Sequence, residues 1–145
     1  MCPRVGEGRF LTLWVGVFDI NSGEPHYVDA GHGHALWFNA EGAHRPRRDQ
    51  TSPLLGIDPD AAYTSARVDM TPGACALIVS DGLVEQPAQS VEGAGRCEFG
   101  LDNVAQAFGK ARRDDNPIAA IFDAVVEHAR TDHLADDATA LLVRW

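Results

Sequence analysis

The chain has 145 residues, a mass of 15.6 kDa and 45% apolar residues, which suits one domain with a real buried core. Twelve Lys and Arg stand against twenty-one Asp and Glu, giving a net charge of -9 and a pI near 4.9, so nucleic acid is not an expected partner. No apolar stretch is long enough to cross a bilayer and the amino terminus lacks the basic-then-apolar order of a secretory signal, so a soluble, cytoplasmic protein without membrane contact is expected.

In chain order, "RFLTLWVGVFDI" (9–20) is rich in β-branched, aromatic and aliphatic residues and predicts a long strand that stops at the turn chemistry of "NSGEP". "HYVDAGHGHALWFN" continues as extended chain interrupted by glycines, and "AEGA" turns it toward "HRPRR" (44–48), a local basic run that reads as a solvated loop or edge strand. "SPLLGIDPD" is a punctuated connection and "AYTSARVDM" a half-buried strand. "ACALIVS" (74–80) is apolar on both faces and belongs inside a sheet covered on both sides.

The pattern then changes. "EQPAQSVEGAGRCE" is loose, and "FGLDNVAQAFGKARR" places Leu101, Val104, Ala105 and Phe108 at helical spacing. A second helix is predicted where Asn116 can cap, Pro117 suits the first position, and Ile118, Ile121, Phe122, Val125 and Ala129 form one apolar stripe. "DDATALLVRW" closes the chain with a strand over about 139–144. Strands early and helices late indicate an α+β layering.

Cys2, Cys75 and Cys97 are odd in number and widely spaced, which fits neither a disulfide framework nor a paired CxxC zinc site. Cys75 lies in the apolar run and reads as a small core residue.

Two acidic turns carry the candidate chemistry. Asp81 follows the strand at 74–80, and Asp136 and Asp137 precede the strand at 139–144. If these strands are antiparallel neighbours, their carboxylates converge at one rim, where oxygen ligands suit Mg²⁺ or Mn²⁺. Gly82 is expected to let the backbone turn away without crowding the ion. Taken alone, Asp81-Gly82 also reads as a hairpin turn, and Asp136-Asp137 as a solvated loop leading into a strand.

The ordered set of segments resembles the SpoIIE-type branch of the metal-dependent (PPM) serine/threonine protein phosphatases. "RFLTLWVGVFDINSGEPHYVDAGHGHALWF" is similar to the branch's strand, turn and "AGH" segment, and "SPLLGI" to its "PPLG" connection. "TPGACALIVSDGLVEQ" is similar to the segment with "PGD…L…TDG", Phe99-Gly100 to an "FG" before a helix, and "DDATALLV" to the closing "DD-x-T" strand. The resemblance implies an α-β-β-α sandwich, the whole of 1–145 being one such domain, incomplete at the N-terminus, with metal ions at one end of the sheets. Asp81 and Asp136 fall on ligand positions, while Gly82, Asp137 and His32 lie around them. The activity implied is hydrolysis of phosphoserine or phosphothreonine by a water that Mg²⁺ or Mn²⁺ activates, without a catalytic side chain that becomes phosphorylated. Its substrate would be a phosphoprotein in signal transduction, an antagonist of an anti-sigma factor among them.

The departure from the family is at the front. The family's earlier strands and helix carry an Asp-Gly whose carboxylate bridges two metals, and "MCPRVGEGRFLTL" has no equivalent, Asp19 corresponding to a turn. Weak metal binding is therefore expected, and the competing reading is a non-catalytic phosphatase-like domain that binds a signalling protein. Uncovered sheet edges would favour a homo-oligomer or a missing N-terminal region as partner.

Other chemistries are less supported. Of the histidines at 26, 32, 34, 44, 128 and 133, "GHGH" puts His32 and His34 on one side of a strand, but no third zinc ligand is evident. Ser80 in "VSDG" lacks the glycine-flanked elbow of a hydrolase nucleophile, and the glycines at 6, 8, 93 and 95 form no phosphate loop.

Overall fold

The computed structural model of the protein describes residues 9–21, 24–45, 51–68, 70–88, 97–131 and 133–145. Much of "EQPAQSVEGAGRCE", the end of "HRPRR", and Cys2 lie outside them.

The first strand, β1 (Leu13–Phe18), and β2 (Pro25–Ala30) form an antiparallel hairpin in register from Leu13↔Ala30 to Phe18↔Pro25. Pro25 stands at the first position of its strand, where a missing N–H is tolerated. The other edge of β2 is divided: β5 (Thr51–Ser52) runs parallel opposite Asp29–Ala30, and β6 (Ala66–Arg67) antiparallel opposite His26–Tyr27. Because two segments share that edge, the strand predicted over "AYTSARVDM" shrinks to two residues.

A second sheet has the order β4 (Gly42–His44), β3 (Ala35–Asn39), β7 (Cys75–Val79), β8 (Ala140–Arg144), all antiparallel. β7 lies inside this sheet and, as its unbroken apolar run predicts, is covered on both faces. The inner face of the two-sheet interface joins Trp37, Ala74 and Ala76 to Tyr27, with Trp14, Phe18 and Ile78 against them. Trp14 stacks on Tyr27 at 5.9 Å between ring centroids, and Tyr27 meets Trp37 at 5.4 Å.

The opposite face of the second sheet, with Leu36, Phe38, Leu77 and Val79, is covered by α2 (Leu101–Ala111) and α3 (Pro117–Ala129). Val104, Phe108, Ile121 and Val125 are buried there, and the rings of Phe38 and Phe108 are 4.6 Å apart. Each such side chain contributes roughly 1.5–3 kcal/mol of burial. Asn116 caps α3 by accepting from Ala119 N–H, with Pro117 in the first turn, and Arg130 ends it in the left-handed region at φ 52°. The predicted stripe shifts slightly, with Pro117, Ile121, Val125 and Ala129 buried and Ile118 and Phe122 half-buried.

The described elements thus supply three layers of the expected sandwich: sheet, sheet, helices. Leu13, Val15 and Val17, on the outer side of β1, stay exposed. No helix among the described residues is long and apolar enough to cross a membrane.

Candidate functional site

β7 and β8 are antiparallel neighbours, paired from Cys75↔Arg144 to Val79↔Ala140. Ser80 extends the pairing by one step, its N–H donating to the Thr139 carbonyl at 2.9 Å. Its hydroxyl accepts from Thr139 N–H at 2.9 Å and donates to the Asp137 carbonyl at 3.3 Å. One serine therefore fastens the end of β7 to the acidic turn before β8.

Beyond Ser80 the chain does not make a hairpin. It enters a short helix, α1 (Asp81–Val84), closed by Glu85 N–H on the Asp81 carbonyl at 2.7 Å. Gly82 is part of this helix and has no left-handed φ. Its need for glycine comes instead from a neighbour: a Cβ added there would lie 2.2 Å from the Asp137 carbonyl oxygen and 3.3 Å from that of Asp136. The missing methyl group makes room for backbone, which differs from the expected role of sparing an ion.

Asp81 and Asp136 consequently line one cavity of about 170 Å³, together with Gly82, Glu85, Gln86 and Ala135. Both aspartates are exposed. Oδ1 of Asp81 accepts from Gly82 N–H at 2.9 Å, and Oδ1 of Asp136 accepts from Asp137 N–H at 2.8 Å. Each retains a second carboxylate oxygen. Asp137 enters through its backbone, touching Ser80 and Gly82.

The oxygen donors of this rim fit a hard divalent cation that keeps much of its water. They do not form a closed cage: among the described residues, no three His, Cys, Asp or Glu gather closely enough to hold a metal ion.

Sequence reasoning missed Gln86. This amide is 3% exposed, and its Oε1 accepts from Ala135 N–H at 2.8 Å, tying the residue before Asp136 to the residues after α1. No spacing signal announces it; only a polar residue at the end of an apolar helical turn hints at a buried role. Asp29 carries no such signal either: wholly buried, its carboxylate accepts from the N–H groups of His32 at 2.8 Å and Gly33 at 3.1 Å, which shapes the "AGHG" turn.

His32 does not line the acidic cavity. Its ring meets that of His34 edge-on at 5.5 Å. His34 continues the helix-facing side of β3, and its carbonyl accepts from Val79 N–H at 3.0 Å, next to the strand end that carries Asp81. Elsewhere His44 pairs with Asn39 and His128 with the Cys97 carbonyl, so the histidines are dispersed.

Burial, then His32, lower the pKa of His34 from its ordinary 6.5, opposed by Asp81, Glu85 and Asp29. The unfolded chain therefore binds more protons just below that value, and the stability contributed by neutral His34 is present above pH 6.5 and lost as the pH falls through the folded pKa. His34→Gln should flatten the fall of the urea midpoint between about pH 7 and 5 relative to the parent. An unaltered slope would contradict this assignment.

The sequence matches the family model for Stage II sporulation protein E (SpoIIE) over residues 1–145. Protein IcfG of Synechocystis sp. is 32% identical over 87 residues, which is 60% of this chain and 14% of that protein. The structure of the RsbU and RsbW domains of Rv1364c from Mycobacterium tuberculosis aligns with a TM-score of 0.64 and 26% identity, covering 90% of this chain and 35% of that one. The Mn-presoaked phosphatase domain of the cell fate determinant SpoIIE from Bacillus subtilis aligns with a TM-score of 0.65 and 17% identity, covering 92% and 56%. This chain spans less than two thirds of each of these relatives. With a family match over residues 1–145 and the fold of PPM phosphatase domains, the chain belongs to the SpoIIE family of protein phosphatases.

Proposed function

We propose that residues 1–145 act as one SpoIIE-like phosphatase domain that hydrolyses phosphoserine or phosphothreonine on a regulatory protein, with Asp81 and Asp136 holding Mg²⁺ or Mn²⁺. The observation that carries this reading is the shared cavity of two aspartates that lie far apart in sequence. When bound, such an ion supplies Lewis-acid activation of water and of the phosphoryl oxygens. Asp81 and Asp136 provide the negative charge that retains it. Ser80, through Thr139 and Asp137, fixes the spacing of the two corners, and Gln86 holds the turn in front of Asp136. The described lining contains carboxylates, a glycine, an amide and an alanine, and direct attack of water on phosphorus is the route that the family resemblance implies. The products would be inorganic phosphate and the free Ser or Thr hydroxyl. An antagonist of an anti-sigma factor is the substrate that the family resemblance favours, and the manganese treatment of the Bacillus subtilis domain agrees with a divalent requirement.

The test is hydrolysis of a phosphothreonine peptide and of an aryl phosphate in a few millimolar Mn²⁺, a concentration chosen for a site of few charged ligands. Turnover that disappears with a chelator and returns with Mn²⁺ is expected. A folded protein without turnover, yet able to retain a phosphoprotein, would replace the enzyme reading with a binding domain.

A further inference from the structure

The β7–β8 ladder has two ends. One bears Asp81 and Asp136; the other, at Cys75↔Arg144, lies roughly 13 Å away at about 3.3 Å per residue. There a cavity of about 920 Å³ opens between the turn after β3, the segment before β7, the end of α2 and the end of β8. Lys110, Arg112, Arg113 and Arg144 line it, four of the twelve Lys and Arg in a chain of net charge -9. No Asp or Glu lines it among the described residues.

We propose that this cavity binds a small anion carrying a di- or triphosphate group. Cations in the last turn of a helix complement its dipole, which by itself accounts for Lys110 and its neighbours. That account does not reach Arg144, which arrives from a strand. It also leaves the placement of Arg112 unexplained. The guanidinium of Arg112 is half-buried and spans the end of the sheet, donating from Nη1 to the Asn39 carbonyl at 2.5 Å and from Nη2 to the Gly73 carbonyl at 2.6 Å. Carbonyls fix its position without cancelling its charge. Arg144 likewise reaches a carbonyl, that of Asp114 at 3.4 Å. The Cys75 thiol, its pKa raised by burial, adds no negative charge beside them.

Lys110, Arg113 and Arg144 are exposed and Arg112 half-buried, so solvent screens part of their mutual repulsion, and an anion in the concavity would relieve the rest. Arginine forks match phosphate oxygens two at a time, so several cations select a group with several anionic oxygens over a single phosphate.

Calorimetric titration of the metal-free protein, with chelator present, tests the site independently of catalysis. Inorganic pyrophosphate and a nucleoside triphosphate should each bind at least about tenfold tighter than orthophosphate, and raising salt from about 50 to 200 mM should weaken both. Tighter binding of the nucleotide than of pyrophosphate would assign the ligand to nucleotides, and equal binding to the polyphosphate group alone. The double variant Arg113→Gln/Arg144→Gln should lose about tenfold in affinity while its unfolding midpoint stays near the parent's, whereas Asp81→Asn should bind as the parent does. Absence of pyrophosphate binding at low salt, affinity unaffected by the double variant, or tighter binding of a tetraglutamate peptide than of pyrophosphate would overturn the proposal.

Discussion

Asp81→Asn should reduce Mn²⁺-dependent turnover by at least about 100-fold, about 2.7 kcal/mol in the barrier, while leaving stability nearly unchanged. The amide keeps an oxygen that can accept from Gly82 N–H, as Asp81 Oδ1 does at 2.9 Å, and the side chain is exposed, so little packing is disturbed. What the variant loses is a negative charge. Residues that only support a metal's ligands already cost about 10–100-fold when changed, so removing a direct anionic ligand should cost no less. Steady-state rates across a Mn²⁺ titration would show the loss, with partial recovery at high metal if affinity is the origin. Turnover within a few-fold of the parent would remove Asp81 from the site. Asp136→Asn should act in the same direction, and the double variant should fall short of the product of the two effects because both groups serve one ion.

Gly82→Ala should damage fold and site together. The added methyl group would meet the Asp137 carbonyl oxygen at 2.2 Å, a backbone atom that cannot swing aside like the tip of a side chain. Either α1 or the turn at Asp136 must shift, and overpacking of this type costs about 1–3 kcal/mol. The shift also strains the two hydrogen bonds of Ser80 to Asp137 and Thr139. Chemical denaturation should show a lower midpoint with an unchanged slope, and Mn²⁺-dependent turnover should fall further than stability alone explains. An unperturbed midpoint would mean that Gly82 does not pack against the turn at Asp137. In Asp81→Asn the rate falls and the fold stays; in Gly82→Ala both fall.

Where a local pattern was decisive, the elements were legible in the sequence. Asn116-Pro117 and the apolar stripe after it predict α3 almost to the residue, and "ACALIVS" predicts a strand buried on both sides. Tertiary competition limited the rest. Nothing in "AYTSARVDM" reveals that β5 and β6 divide one edge of β2, and α1 is too short for periodicity to show. Of the candidate site, Asp81 and Asp136 could be placed together because an antiparallel pairing of their strands was inferred, and β7–β8 has that pairing. Gln86 was invisible because its role depends on where the loop at Ala135 falls, and the reason for Gly82 lay in a carbonyl far along the chain.

The same β7–β8 ladder has a consequence for biosynthesis. A growing polypeptide that has emerged through Glu85 possesses one acidic corner only, and its companion forms when residues 136–144 have left the ribosome and annealed to β7. Any premature stop before Ala140 would leave β7 with a bare flank on the side β8 normally occupies, so a frameshift within α3, after β7 is complete, should be as damaging as one ahead of β7.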